Sequence, residues 1–171
     1  MLIVFVLAGV VIGWLQGGRL REMEVDLAWP LLPVAAFLLE RFLPQLPGVP
    51  HFLPQASLYL LLLVFFIKNR RSGIWALLTG CGTAMNALVI AANGWRMPVT
   101  RRVTGNFAKL LATGRIPGYT LADAQTRFLF LGDVLPVPGV GYASLGDLVM
   151  GVGAALLVIH MMTARRRKEQ L

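Results

Sequence analysis

The apolar residues of this chain fall into five runs, separated by short segments that are polar, charged or rich in proline. The fourth run, from Ile74 to Ala92, carries no charge and is long enough to cross the hydrocarbon core of a membrane as a helix. Charged residues gather at the ends of the runs. The pattern predicts membrane-spanning helices at about residues 2–18, 27–43, 53–68, 73–93 and 144–163.

The predicted fold class is all-α: a polytopic membrane helix bundle of about five transmembrane helices, with short interfacial helices in a long outer connection. Residues 1–171 are expected to form a single integral membrane domain, with a polar excursion over residues 94–143 on the outer side. Composition supports this reading, because 57% of the residues are hydrophobic and only 14% are charged. A soluble domain of this size would need a more polar surface.

The excursion begins with an abrupt change of character at the end of the fourth run. Asn93 and Gly94 interrupt the helix, and glycine tolerates the left-handed backbone that often ends helices. Trp95 has the amphipathic ring that prefers a membrane interface, and Arg96 adds a fixed charge beside it. Pro98 prevents a return to regular helix.

Two short helices are expected inside the excursion. The first covers Phe107–Thr113, with Asn106 as its cap, and would lie at the interface. The second begins at Thr120, which stands in capping-box spacing with Asp123, and runs to about Leu131.

Two related phrases, Leu131-Gly132-Asp133 and Leu145-Gly146-Asp147, follow these helices. The proline-rich stretch Pro136–Gly141 between them is expected to be irregular. Ser144 and Asp147 have capping-box spacing at the start of the last span. An acid near the interface usually has a partner, so Asp147 is either a simple cap or part of a functional site.

Small residues recur at four-residue spacing in two runs. In the first run they are Gly9, Gly13 and Gly17, which either form a face for close helix packing or reflect chance in a glycine-rich chain. In the fourth run they are Ala76, Gly80 and Ala84, again a predicted packing face. Asn86 and Asn93, seven residues apart, share one side of that helix. We expect Asn86 to make an interhelical hydrogen bond, and Asn93 to bind either protein or ligand.

Basic residues give the chain a formal net charge of +8, and most of them lie at helix ends. This distribution indicates membrane orientation and lipid headgroups rather than nucleic acid. Placing residues 68–71 and the tail Arg165–Lys168 in the cytoplasm puts the N-terminus outside and the C-terminus inside. The excursion is then outside with an excess of positive charge, which anionic headgroups or an anionic ligand would balance.

Several phrases also carry a family resemblance: Asn93–Val99, Leu131-Gly132-Asp133 and Ser144–Asp147 in this order, with Gly17-Gly18-Arg19 and the basic segment 68–71. They resemble a bacterial membrane family catalogued as domain of unknown function 5317, over essentially the whole chain. The resemblance implies a small multi-pass protein of the bacterial cytoplasmic membrane. It implies no activity.

The function must therefore be argued from candidate residues. Asn93, Arg96, Asp133 and Asp147 are expected near the outer interface, where they could form a ligand-binding cluster. Arg96 could hold a phosphate or carboxylate group of a small molecule or lipid through a bidentate contact. No catalytic residue, metal ligand or cofactor is predicted, and membrane lipids are the expected partners.

Two other function classes remain open. The chain could be a non-catalytic accessory subunit of a larger membrane complex or a homo-oligomer, with its glycine faces as contact surfaces. More remotely, the two Leu-Gly-Asp phrases are similar to the Gly-x-Gly-Asp motif of intramembrane aspartyl proteases, in which two carboxylates share a proton. Phe130 and Ser144 stand where that motif has glycine, so the sequence favours a non-enzymatic role.

The predicted topology can be tested by labelling single cysteines with a membrane-impermeant reagent in intact cells. On a background in which Cys81 is replaced, a cysteine at position 115 should be labelled and one at position 70 should not, because the basic segments 68–71 and 165–168 hold their side in the cytoplasm. Labelling at position 70 alone would mean that the orientation is inverted.

Overall fold

The structure is a computed structural model that describes residues 1–23, 27–139 and 141–169. It contains six α-helices: α1 (Leu2–Leu15), α2 (Leu31–Phe42), α3 (Leu53–Lys68), α4 (Ile74–Ala92), α5 (Gly105–Ala112) and α6 (Leu145–Glu169). Four short strands lie between α4 and α6: β1 (Met97–Val99), β2 (Tyr119–Leu121), β3 (Leu135–Val137) and β4 (Gly141–Ala143). The side chains of the basic tail Arg165–Lys168 lie outside the described part.

Five of the helices form a bundle in which neighbours pack in the order α2, α3, α4, α6 and α1. Helices α1 to α4 each lie within one of the predicted spans, whereas α6 begins inside the fifth and continues beyond its predicted end to Glu169. Two helices in the described residues are long and apolar enough to cross a membrane, Ile74–Ala92 and Leu145–Ala164. Helices α1 and α3 are apolar but shorter, with 14 and 16 residues, and α2 has 12. Length and composition therefore identify two candidate spans, fewer than the predicted five.

The closest helix contact joins α4 to α6 through small residues. A side chain on Gly82 would collide with the backbone carbonyl of Gly146, and one on Gly153 would stand 2.7 Å from the amide nitrogen of Thr79. Thr79 and Thr83 turn their hydroxyls back to carbonyl oxygens of α4 itself, so these polar groups are satisfied within the contact. The absence of side chains at the glycines lets the two backbones touch, which maximises van der Waals contact.

Glycines also place α1 against α6. A Cβ at Gly9 would be 2.7 Å from the carbonyl oxygen of Ala155, and one at Gly13 would be 2.7 Å from the sulfur of Met162. The predicted glycine face is thus confirmed for these two residues. Gly17 does not continue it, because the helix ends at Leu15 and Gly17 has a left-handed backbone with φ of 79°.

The row of small residues predicted in α4 does not form one face. Ala76 is buried and Gly80 approaches Phe66 of α3, but Ala84 is exposed. The face that meets α6 contains Thr79 and Gly82 instead. The residues at four-residue spacing include the one that meets α3, Gly80. The tighter contact, between α4 and α6, lies on an adjacent side of the helix.

Residues 94–143, which we call the cap, contain the strands, so the all-α prediction is wrong in this region. Strands β1 and β2 are parallel and are connected through α5, which confirms the first of the two short helices predicted there. Val99 of β1 also forms a parallel bridge with Asp133 on the side away from β2. Strands β3 and β4 form an antiparallel hairpin where an irregular proline-rich stretch was expected.

The second helix predicted in the cap is also wrong. Thr120 belongs to β2, and Asp123 accepts bonds from the backbone nitrogen of Gln125 and the hydroxyl of Thr126 in a turn. Only a 3₁₀ turn, Leu129–Leu131, follows. An aspartate side chain can accept hydrogen bonds from the backbone nitrogens of a turn as readily as from those at the start of a helix. The capping-box spacing therefore did not distinguish the two structures.

The cap contacts one end of the bundle through an apolar cluster and through the hydrogen bonds of Asn93. Val89 and Ile90 of α4 pack against Met97 and Leu131 of the cap.

At the opposite end of the bundle, Asn69 bonds to the segment before α2. Its side-chain nitrogen donates to the carbonyl of Ala28 at 3.0 Å, and its side-chain oxygen accepts from the backbone nitrogen of Ala28 at 2.9 Å. The chain before α2 is thereby fixed to the end of α3.

The α4–α6 contact yields a stability prediction. Gly82→Ala should lower the free energy of unfolding by about 1–3 kcal/mol, because the new methyl group meets backbone atoms of Gly146 that cannot rotate away. Ala84→Leu, on the exposed side of the same helix, is the matched control and should change little. Thermal unfolding in mild detergent measures both, and equal melting temperatures for Gly82→Ala and wild type would contradict the close contact.

Candidate functional site

The cap end of the molecule contains a cavity of about 380 Å³ between the cap and the proline-rich loop that joins α2 to α3. This volume lies within the range of small-molecule pockets. The loop and the excursion both contribute to the cavity wall, so they lie at the same end of the bundle. The lining residues are Glu40, Pro44, Val49, Pro50, His51, Pro54, Gln55, Trp95, Arg96, Gly114, Ile116, Pro117 and Gly118.

Arg96 is the basic residue of this wall. It follows Trp95, whose backbone is left-handed with φ of 63°, a conformation that costs energy in any residue other than glycine. The Trp95 ring packs against Phe52 with their centroids 5.9 Å apart. Arg96 is exposed and forms no ion pair with any residue that the structure describes. Its guanidinium donors are therefore available to a ligand in the cavity.

Asn93 fastens the cap to α4. Its amide nitrogen donates to the carbonyl of Arg127 at 2.8 Å, and its amide oxygen accepts from the backbone nitrogen of Arg127 at 2.9 Å. The same nitrogen also donates to the carbonyl of Val89 at 2.7 Å. The amide is thus engaged with protein, which favours a structural role over direct ligand contact.

Asp147 is held at the start of α6 by a reciprocal capping box. Its backbone nitrogen donates to the hydroxyl of Ser144 at 2.9 Å, and its carboxylate accepts from the nitrogen of Ser144 at 3.2 Å. The other carboxylate oxygen accepts from the amide of Asn86 at 2.8 Å, and the Ser144 hydroxyl donates to the Asn86 oxygen at 2.8 Å. Both the capping prediction and the interhelical role predicted for Asn86 are confirmed.

Asp133 is the most unusual of the four candidates. It is only 8% exposed, and its oxygen Oδ1 is enclosed without a hydrogen-bond partner among the described residues. Its backbone is fixed to β1, because its nitrogen donates to the carbonyl of Pro98 at 2.9 Å and its carbonyl accepts from Thr100 at 3.0 Å. A buried charged carboxylate without partners is costly, so the neutral form is favoured.

The electrostatic surroundings of Asp133 agree with this assignment. Burial, together with the smaller effect of the nearby charge of Asp147, raises the pKa of Asp133 to about 7. Burial also raises the pKa of Tyr119 in β2, with additional contributions from Asp133, Asp147 and Glu40. Carboxyl groups from the cap and from two helices therefore all contribute to the electrostatic surroundings of Tyr119.

The four predicted site residues are thus divided between two places. Asp147 lies close enough to Asp133 to raise its pKa, whereas Arg96 lines the cavity and Asn93 holds the cap. The sequence placed Arg96 and Asp147 in one possible cluster, but the side chain that bonds to the Asp147 carboxylate across the helices is Asn86. The sequence did not reveal Glu40 and Gln55 as residues of the cavity wall. Glu40 lies at the end of the second apolar run and Gln55 at the start of the third, and only the fold brings them together.

This arrangement is suited to binding more than to carboxylate chemistry. A two-carboxylate mechanism needs both acids to face a substrate. Here both oxygens of Asp147 are engaged by the capping box and Asn86, and neither Asp133 nor Asp147 lines the cavity. Within the described residues, no three His, Cys, Asp or Glu side chains are grouped as metal ligands.

Burial of Asp133 predicts a pH-dependent stability. Because its folded pKa of about 7 exceeds the ordinary value of 3.8 for an aspartate, its stabilising effect is complete at low pH and is lost as the pH rises through 7. At about 1.4 kcal/mol per pKa unit, the loss is on the order of 4 kcal/mol. Asp133→Asn should remove this slope and be more stable than wild type at pH 8. Parallel pH profiles for variant and wild type in denaturant unfolding would contradict it.

Comparison with known proteins gives a family and no activity. No curated protein and no solved structure matches the chain. One family model, described as a family of unknown function (DUF5317), matches residues 19–159, which include the cavity wall, the cap and both ends of the α4–α6 contact. The expected resemblance is therefore confirmed, and the chain belongs to this family of unknown function, DUF5317.

Proposed function

We propose that this protein is a multi-pass membrane protein that binds an anionic group, such as the phosphate of a lipid, in the cavity beside the cap. Arg96 is the anchoring residue. The observation that carries the proposal is an arginine without an ion-pair partner in the described chain, placed on the wall of a cavity of about 380 Å³. A guanidinium is suited to bidentate contact with phosphate or carboxylate.

The membrane setting is supported by the surface of the bundle. Only 44% of Ile74–Ala92 and 28% of Leu145–Ala164 are buried, although both helices are apolar. Large apolar side chains point outward, among them Ile3 at 69% and Leu60 at 63% exposed. A soluble protein rarely exposes so much contiguous apolar surface, whereas lipid would cover it at no cost. The shorter helices α1, α2 and α3 would complete five spans, with their ends at the interfaces.

The cavity also has a fixed shape, which favours binding over a passive surface role. Four of its lining residues are prolines, and the Phe52–Trp95 contact braces one side. Proline restricts the backbone, so less conformational freedom is lost when a ligand binds. A role in transport would need a path through the bundle in addition to this cavity.

A second candidate, an accessory subunit of a larger complex, receives less support. Its sequence argument was that the small residues form partner-binding faces. In the structure, Gly9 and Gly13 pack on α6 and Gly82 packs on Gly146, so these faces are occupied within the chain. Any partner would have to use other surfaces.

Arg96→Gln should lower binding of phospholipid to the purified protein by about tenfold or more, since a charge-assisted contact is lost. Native mass spectrometry after lipid addition counts the bound molecules. Arg102→Gln is the control, because Arg102 is an exposed arginine of the cap that does not line the cavity. Equal loss in both variants, or none in either, would contradict a specific site, and a stoichiometric partner protein in all preparations would favour the accessory role.

A further inference from the structure

We infer that the ligand of this cavity is zwitterionic, namely a phospholipid headgroup that carries a phosphate and an amine, held by Arg96 at one end and by Glu40 at the other. This inference rests on the proposed function and specifies its ligand. It depends on charges of both signs in one cavity, on an unpaired acceptor in one lining residue, and on exposed apolar side chains close to lining residues in the chain.

The charge pattern comes first. Glu40, near the end of α2, and Arg96, after α4, line the same cavity but form no ion pair with each other or with other described residues. Glu40 is half-buried, so its carboxylate is partly removed from water. A purely anionic ligand would bring its charge into this acidic neighbourhood and be repelled. A ligand with an ammonium group next to its phosphate satisfies both protein charges.

The second observation is an unused acceptor. Gln55, in the first turn of α3, lines the cavity, and its side-chain oxygen Oε1 is buried without a hydrogen-bond donor among the described residues. Buried acceptors are nearly always paired, so an unpaired one marks a place for a missing donor. An ammonium group has three N–H donors. They can donate to the carboxylate of Glu40 and, after the side-chain amide of Gln55 rotates, to its oxygen Oε1.

The third observation concerns the source of the headgroup. Phe42 and Leu46, on either side of Pro44 in the chain, are 55% and 57% exposed, and Phe52 beside His51 is also exposed. These exposed apolar side chains are close to lining residues in the chain, and Phe42 belongs to α2. Acyl chains could lie on this surface while the headgroup occupies the cavity, which favours a membrane lipid over the free headgroup.

The test compares binding of phosphatidylethanolamine and phosphatidylglycerol to the purified full chain in detergent, by native mass spectrometry. Wild type should prefer phosphatidylethanolamine by about tenfold or more, the scale of one charge-assisted hydrogen bond. Glu40→Gln should abolish that preference and leave phosphatidylglycerol binding equal or stronger. Asp123→Asn is the matched control, because Asp123 is exposed, lies away from the cavity, and asparagine can keep its turn.

The outcomes separate the two proposals. If Arg96→Gln weakens both lipids but Glu40→Gln leaves their ratio unchanged, the anionic site stands and the zwitterionic ligand is wrong. If Arg96→Gln changes neither lipid, both proposals fail. A wild-type preference for phosphatidylglycerol also overturns the inference, without needing any variant. Competition with soluble phosphoethanolamine identifies the source: displacement at equal concentration would mean that the free headgroup is the ligand and the lipid is not.

Discussion

Where α4 crosses α6, the backbones approach so closely that a side chain at Gly82 would strike the carbonyl of Gly146. One turn further along α4, Asn86 bonds to both Ser144 and Asp147. The α4–α6 interface therefore combines close van der Waals contact at the glycines with side-chain hydrogen bonds one turn further on. Because Ser144 and Asp147 lie at the start of α6, the same hydrogen bonds also fix the position at which the chain passes from the cap into the bundle. Other elements attach to this pair, with α1 on α6 and α3 on α4.

The cap shows how short strands can position functional groups without a large sheet. Its strands have three residues each, yet β1 pairs with β2 on one side and with Asp133 on the other. The hydrogen bonds of β1 hold the backbone of Asp133 rigidly, while its carboxyl group faces an enclosed, acidic environment. Rigid placement keeps the buried acid from turning to water, and its burial raises its pKa to about 7.

The sequence was informative where a physical signal extended over many residues. Uncharged runs bounded by charges gave the bundle helices, and α4 begins and ends at the predicted residues. The capping box at Ser144 and Asp147 was also recognisable, because a helix clearly followed it. The strands could not be predicted, since three residues are too few for an alternating pattern and Pro98 argues against a strand. Glu40 and Gln55 could not be assigned to a site, because their common cavity depends on how α2 and α3 meet the cap.

The packing of α1 has a consequence for biosynthesis. Gly9 rests on Ala155 and Gly13 on Met162, so α1 contacts a helix that is synthesised much later. At translation rates of about 5–20 residues per second, roughly 7–30 s pass between synthesis of these two helices. During that time α1 has no native neighbour of its own. Because α1 carries no charged residue, no charge is left without a partner during this interval, and the five-helix bundle closes only after α6 has been made.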